Sequence, residues 1–225
     1  MVGLFTIWQG PDNATCKELG IHKRNEVLVG FSRDGFHWSR LNRDRFLAVS
    51  EDPKDWNGAN VQSVGGGCVV VGDQLYFYCS GRTMHPRKSA ATGLALLRRD
   101  GFAGMKAGKC GGTLTTRKVV FSGERLFVNT DAEAGELKVE VLDAEGKVVE
   151  PFSRENCIPV ETNSTKHKVA WKDAGISTLQ GQVVRFRFHL EEGFIYSFWV
   201  SPTPDGTSHG FVAGGGPKYP GGKDR

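Results

Sequence analysis

Residues 26–38, Glu-Val-Leu-Val-Gly-Phe-Ser-Arg-Asp-Gly-Phe-His-Trp, leave the chain little alternative to a hairpin. The apolar alternation of 26–31 reads as a strand, Asp34-Gly35 as a tight turn, and Trp38 as the start of the returning strand. Ser32 and Asp34 carry side-chain oxygens that accept from turn amides. Gly35 can take the positive φ the turn needs, and the Trp38 ring can bury the back of it. A hairpin closed by its own side chains commits its flanks to antiparallel sheet. The composition agrees: 30 Gly and 14 Phe against 3 Met describe many turns and aromatic-packed sheets. No window carries a sustained helical apolar stripe, so the expected fold class is all-β.

Before and after this hairpin lie further strands. Residues 3–9 read as a strand with apolar residues on both faces, which calls for cover on both sides. Residues 10–25 are a polar connection. After the hairpin, a loop through 51–58 leads to a strand at 59–64, Gly65-Gly66-Gly67 marks a bulge or kink, and 68–79 is a hairpin turning at Gly72-Asp73. Residues 93–99 add another strand. Four short strands every 40 to 50 residues is roughly the period of a propeller blade, so residues 1–100 are expected to form about two blades.

Beyond Arg98-Arg99-Asp100-Gly101-Phe102 the pattern changes. Seven candidate strands follow, at 113–121, 124–130, 136–142, 147–151, 165–171, 183–190 and 194–200. Val184, Phe186, Phe188 and Leu190 alternate with Arg185, Arg187 and His189, one set for a core and one for water. Asp143-Ala144-Glu145-Gly146 is a hairpin loop with glycine where positive φ is required. Residues 101–205 are therefore expected to be an antiparallel β-sandwich or jelly roll, and 206–225, rich in Gly, Pro and Lys without apolar periodicity, a disordered tail.

Several functions find no support in the residues. The net charge of +4 is small and spread along the chain, so no nucleic-acid footprint is expected, and Arg40, Arg43 and Arg45 read as a solvated strand edge. No apolar stretch approaches a membrane span, and no signal peptide is expected. Asn13-Ala14-Thr15 and Asn163-Ser164-Thr165 match the glycosylation sequon, which has meaning only in a eukaryotic secretory setting. The five cysteines contain no C-x-x-C pair, so free thiols are expected, with Cys68 and Cys79 placed diagonally across a hairpin at the long limit for a disulfide. The six histidines have no ligand spacing, no H-E-x-x-H or G-x-S-x-G occurs, and no cofactor or metal is implied.

The S-x-D-G-x-x-W pattern of Ser32 to Trp38 resembles the turn between blade strands in sugar-processing β-propellers, of which the sialidase Asp box is a relative. Residues 93–102 (Gly-Leu-Ala-Leu-Leu-Arg-Arg-Asp-Gly-Phe), 111–117 (Gly-Gly-Thr-Leu-Thr-Thr-Arg) and 137–143 (Leu-Lys-Val-Glu-Val-Leu-Asp) resemble the C-terminal part of proteins similar to glycoside hydrolase families 32 and 43. The family 32 type joins a five-bladed propeller to a β-sandwich. On that resemblance the chain is expected to be the C-terminal fragment of a glycoside-hydrolase-like protein, holding the last two blades and the sandwich, with a carbohydrate as its partner.

The family's chemistry needs three carboxylates at the propeller axis, contributed by the first three blades, and glycoside cleavage in general needs two carboxyl groups at a fixed separation. Trp56-Asn57-Gly58 resembles the family's W-x-N-D-P-N-G motif without its Asp, and Glu51-Asp52-Pro53 its R-D-P motif with Glu for Arg, so no catalytic residue is expected in this chain. The resemblance places a sugar at the propeller mouth, met by the innermost strand of the second blade. That strand is taken as 59–64, whose Asn60 and Gln62 are polar where a buried strand prefers Val or Ile. Trp56 is placed to stack on a ring, with Arg82 and His85 reaching the same mouth. The alternatives are a non-catalytic carbohydrate-binding or protein-interaction sandwich, or a purely structural domain. Uncovered blade edges would favour self-association.

Overall fold

A computed structural model describes all residues except 66, 84–89, 213, 218–220 and 225, and omits the side chain of Ser63. The protein is all-β. Among the described residues helix is confined to one α-helix, α1 (Asn13–Glu18), capped by Asp12 Oδ1 on the amides of Ala14 and Thr15, and a 3-10 turn at Ile176–Leu179. Every sheet among the described residues is antiparallel and none closes on itself. Among the described residues no helix is long and apolar enough to cross a membrane. The chain forms two compact units, Met1–Leu97 with Ala213–Gly216, and Arg98–Val212 with Pro217–Arg225.

The first unit contains two small sheets. Strands β1 (Val2–Trp8), β2 (Asn25–Ser32) and β3 (Trp38–Ser39) lie in that order, and β2 returns into β3 through the Asp34-Gly35 turn. The turn is built as its residues require. Ser32 Oγ accepts from Gly35 N at 2.8 Å, Asp34 Oδ1 accepts from Phe36 N at 2.9 Å and His37 N at 2.8 Å, and Gly35 has φ +83°. Trp38 meets Phe5 edge to face at 5.0 Å, and a Cβ on Gly3 would stand 2.5 Å from its ring.

The second sheet holds β4 (Asn60–Val64), β5 (Val69–Val71), β6 (Gln74–Arg82) and β7 (Ala91–Arg98). Strands β4 and β5 pair successive lengths of β6, Asn60 with Arg82 at one end and Val71 with Gln74 at the other. Strand β7 also pairs with β6, which makes a four-stranded sheet. Val27, Val49, Val61 and Cys79 form the core of this unit, with Leu4, Phe46, Leu47, Val64 and Ala95 packed against them.

In the second unit, β8 (Met105–Ala107), β10 (Arg125–Asp131), β12 (Asn163–Lys168) and β14 (Gly193–Ser201) form one sheet in the order β12-β10-β14-β8. The other consists of β9 (Gly112–Thr115), β11 (Glu136–Leu142) and β13 (Arg185–Glu191), ordered β11-β13-β9. Successive strands from β8 to β14 alternate between the sheets. Beside β11, residues 147–149 extend the second sheet through Asp143 N to Lys147 O at 2.8 Å and Val149 N to Val141 O at 2.9 Å. That order is a jelly roll. The register sets Leu137, Val139 and Val141 opposite Leu190, Phe188 and Phe186, all buried, and leaves Lys138, Glu140, Arg187 and His189 on the other face.

Within 206–225, where composition points to disorder, the described residues make several contacts. Val70 N donates to Gly215 O at 2.6 Å in the first unit, and in the second Phe211 bridges Lys223 and Ser208 N donates to Asp224. All five cysteines are free.

Candidate functional site

Loop 50–58 precedes β4 and is stapled by its own polar groups. Ser50 Oγ donates to Asp55 Oδ2, Lys54 N donates to Asp52 Oδ1 at 2.8 Å, and Asn57 Nδ2 reaches Ala48 O at 3.2 Å. Thr83 Oγ1 ties the loop to the end of β6 by donating to Lys54 O at 3.1 Å. Trp56 stands on this loop, its ring laid over Gly81 of β6 and Gly93 of β7. A Cβ on either glycine would come within 2.5 Å of the ring carbons. The ring is thus fixed from beneath, while Trp56 keeps 38% of its surface exposed.

The residues singled out in the sequence do not all converge. Arg82 Nε donates to Gln62 Oε1 at 3.3 Å, so these two meet as an exposed polar pair. Gly81 and Arg82 are consecutive on β6 and point to opposite faces, which puts Trp56 and the Arg82 side chain on different sides of the sheet. Asn60 is buried, with Nδ2 donating to Lys23 O at 3.4 Å and Oδ1 lacking a hydrogen-bond partner. The register shifts between Val61 and Ser63, so Asn60 and Gln62 do not share one environment as strict alternation implies. His85 lies outside the described residues.

The same loop walls a cleft of about 390 Å³, whose lining includes His22, Arg24, Arg45, Glu51, Pro53 and Ala59. Beside it Glu26, only 2% exposed, anchors the two arginines. Its Oε1 accepts from Arg24 Nη2 at 2.9 Å, Arg45 Nη1 at 3.3 Å and Val49 N at 3.1 Å. Burial is the largest single influence on this carboxyl and pushes its pKa up. The bonds from Arg24, Val49 and Arg45 outweigh it, so the group titrates below its ordinary value and stays ionised. Sequence reading took Arg45 for a solvated edge and did not single out Arg24 or Glu26. The only available signal was a Glu within an otherwise apolar strand.

No protein-family model matches the chain, and no curated protein matches it. The likeness to glycoside hydrolases therefore rests on its short stretches alone.

A second cleft, of about 310 Å³, lies on the polar face of the β11-β13-β9 sheet, lined among others by Cys110, Thr113, Glu136, Arg154 and His189. Next to it Glu140 is buried and accepts from Arg187 Nη1 at 2.9 Å, with His189 Nε2 at 3.1 Å. Cys79 and Cys157 are pushed above the ordinary thiol pKa, chiefly by burial, which makes poor nucleophiles of both. Among the described residues no group of His, Cys, Asp or Glu side chains has the arrangement to hold a metal ion.

Proposed function

We propose that the chain is a carbohydrate-binding protein of the glycoside hydrolase 32 and 43 organisation, in which a two-sheet, propeller-like unit binds the sugar and the jelly roll is accessory. The observation that carries this reading is the pairing, on one stapled loop, of a braced and partly exposed Trp56 with the wall of a polar cleft. A flat indole held rigidly against two glycines loses little entropy on stacking, and polar groups around a concavity fix orientation. The face-to-face packing of two small antiparallel sheets around Val27, Val61 and Cys79 supports the blade reading. The three stretches that resemble the two families, with the blade-type turn from Ser32 to Trp38, are what point to a sugar as ligand.

Binding proceeds without hydrolysis in this proposal. Glu26 is held ionised by two arginines and serves poorly as a proton donor, while Asp52 and Asp55 spend oxygens on loop amides and Ser50. Titrating oligosaccharides while following tryptophan fluorescence tests the binding. A saturable change in the wild type, weakened in Trp56→Ala, is expected, and no saturable change with any saccharide would sink the reading. Turnover of aryl glycosides that disappears in Asp52→Asn or Asp55→Asn would show the chain to be an enzyme after all.

A further inference from the structure

We propose that the cleft between the start of β2 and loop 50–58 is a subsite for an oxyanion carried on a saccharide, the carboxylate of a uronic acid or a sulfate ester. The inference rests on the carbohydrate reading above and names the class of sugar. Its basis is the way one buried carboxylate holds two guanidinium groups. Glu26 takes a single N–H from each, Nη2 of Arg24 and Nη1 of Arg45, through the same oxygen. Both arginine side chains remain open to solvent, 44% and 51% exposed, and their other N–H groups have no protein partner among the described residues. A fork of five donors that spends one on an internal anchor keeps donors for a planar or tetrahedral oxyanion.

The anchor matters as much as the donors. Long arginine side chains on a loop or strand end lose rotamer entropy when they grip a ligand. Here that ordering is already done by a carboxylate that cannot leave, so the two guanidiniums are preorganised across a cavity wide enough for one sugar residue. The other titratable groups lining the cleft are His22 and Glu51. Glu51, from the loop, disfavours a free multivalent anion in the cleft and can accept ring hydroxyls. The site therefore selects one oxyanion mounted on a polyhydroxylated ring.

The test compares three probes of equal length on the full chain: an oligogalacturonide, a sulfated hexasaccharide and neutral maltohexaose, by isothermal titration. The expected result is saturable binding of one or both anionic probes, at least about tenfold tighter than the neutral one and weakened about tenfold or more in Arg24→Gln and Arg45→Gln. The oligogalacturonide and the sulfated probe distinguish carboxylate from sulfate. Should either variant fail to fold, protection of Arg24 and Arg45 from phenylglyoxal by the anionic probe in the wild type, read by peptide mass, replaces it. Equal affinity for neutral and charged probes, unchanged affinity in folded variants, or absence of protection overturns the inference and leaves sugar binding in place. Binding of none of the three overturns the inference, and the carbohydrate reading falls with it only if no saccharide gives a saturable change in tryptophan fluorescence.

Discussion

The indole of Trp56 lies flat on Gly93, so close that a Cβ built there would stand 2.2 Å from Cη2. Two strands present bare backbone to one ring, since Gly81 on β6 makes the same contact at 2.5 Å. In most strands Gly→Ala gains stability through the unfolded chain. At Gly93 the added methyl must displace the ring, and overpacking of this kind costs about 1–3 kcal/mol. Gly93→Ala should lower the urea midpoint and change the Trp emission, and a stabilised variant with unaltered emission would contradict the stacking.

Glu26 makes stability depend on acid. Its folded pKa lies below the ordinary 4.5, so its contribution is complete above that value and is lost as pH falls through the lower folded value. Glu26→Gln should cost about 1–3 kcal/mol at pH 7, since Arg24, Arg45 and Val49 lose a charged acceptor. The gap between wild type and variant should close as the pH drops below 4.5 and through the lower folded value. A gap that stays constant from pH 7 to pH 3 would show that the carboxylate charge contributes nothing.

Arg98 opens the second unit with three bonds to it, to Asn129 Oδ1 at 2.6 Å, to Thr130 O at 2.8 Å and to Asn163 Oδ1. Asn129 and Thr130 are fully buried. A fragment of residues 98–225 should express as a monomer with one cooperative melt. Arg98→Ala within it should lose roughly 2–4 kcal/mol, as expected for several charged hydrogen bonds to buried partners. Equal melting temperatures for the two fragments would remove Arg98 from the boundary.

Gly35 takes φ +83° with Met1 Cε 3.0 Å from where its Cβ would be. Gly35→Ala should cost about 1–2 kcal/mol from the left-handed backbone alone. The midpoint of chemical denaturation reads this directly, and an unchanged midpoint would show that the turn does not hold its positive φ in solution.

Thiol reactivity should follow burial. Cys110 is exposed, whereas Cys16, Cys79 and Cys157 are buried. Native protein should release its fastest equivalent with a disulfide reagent at Cys110, half-buried Cys68 should follow more slowly, and the three buried thiols should react only on unfolding. Fast labelling of Cys157 would contradict the packing of the jelly-roll core.

Local chemistry determined the polar closure of the turn from Ser32 to Trp38, because Ser32, Asp34 and the amides they accept from lie within six residues of one another, while Met1 and Phe5 add only outer contacts to Ser32 and Trp38. The same holds for the hairpin at Gly72-Asp73 and for the inward Phe186, Phe188 and Leu190, where a period of two decides which side chains face a core. Even the sandwich class was legible, since alternation along each strand implies two sheets facing each other.

Tertiary structure alone decided which strands share a sheet. Alternation marks the inner face of β13 but not of β14, which is apolar almost throughout, and only long-range pairing puts the two in different sheets and orders the jelly roll. Strand β8, three residues long, carries no period to read. The candidate site was hidden for the same reason. Glu26, Arg24 and Arg45 span 21 positions, and their convergence depends on Val49 and loop 50–58 folding back over the start of β2. Trp56 was visible as an aromatic on a loop, but its brace on Gly81 and Gly93 exists only because β6 and β7 are neighbours. The bulge at Gln62 then separated Asn60 from Gln62, because one extra residue in a strand reverses the face of everything beyond it.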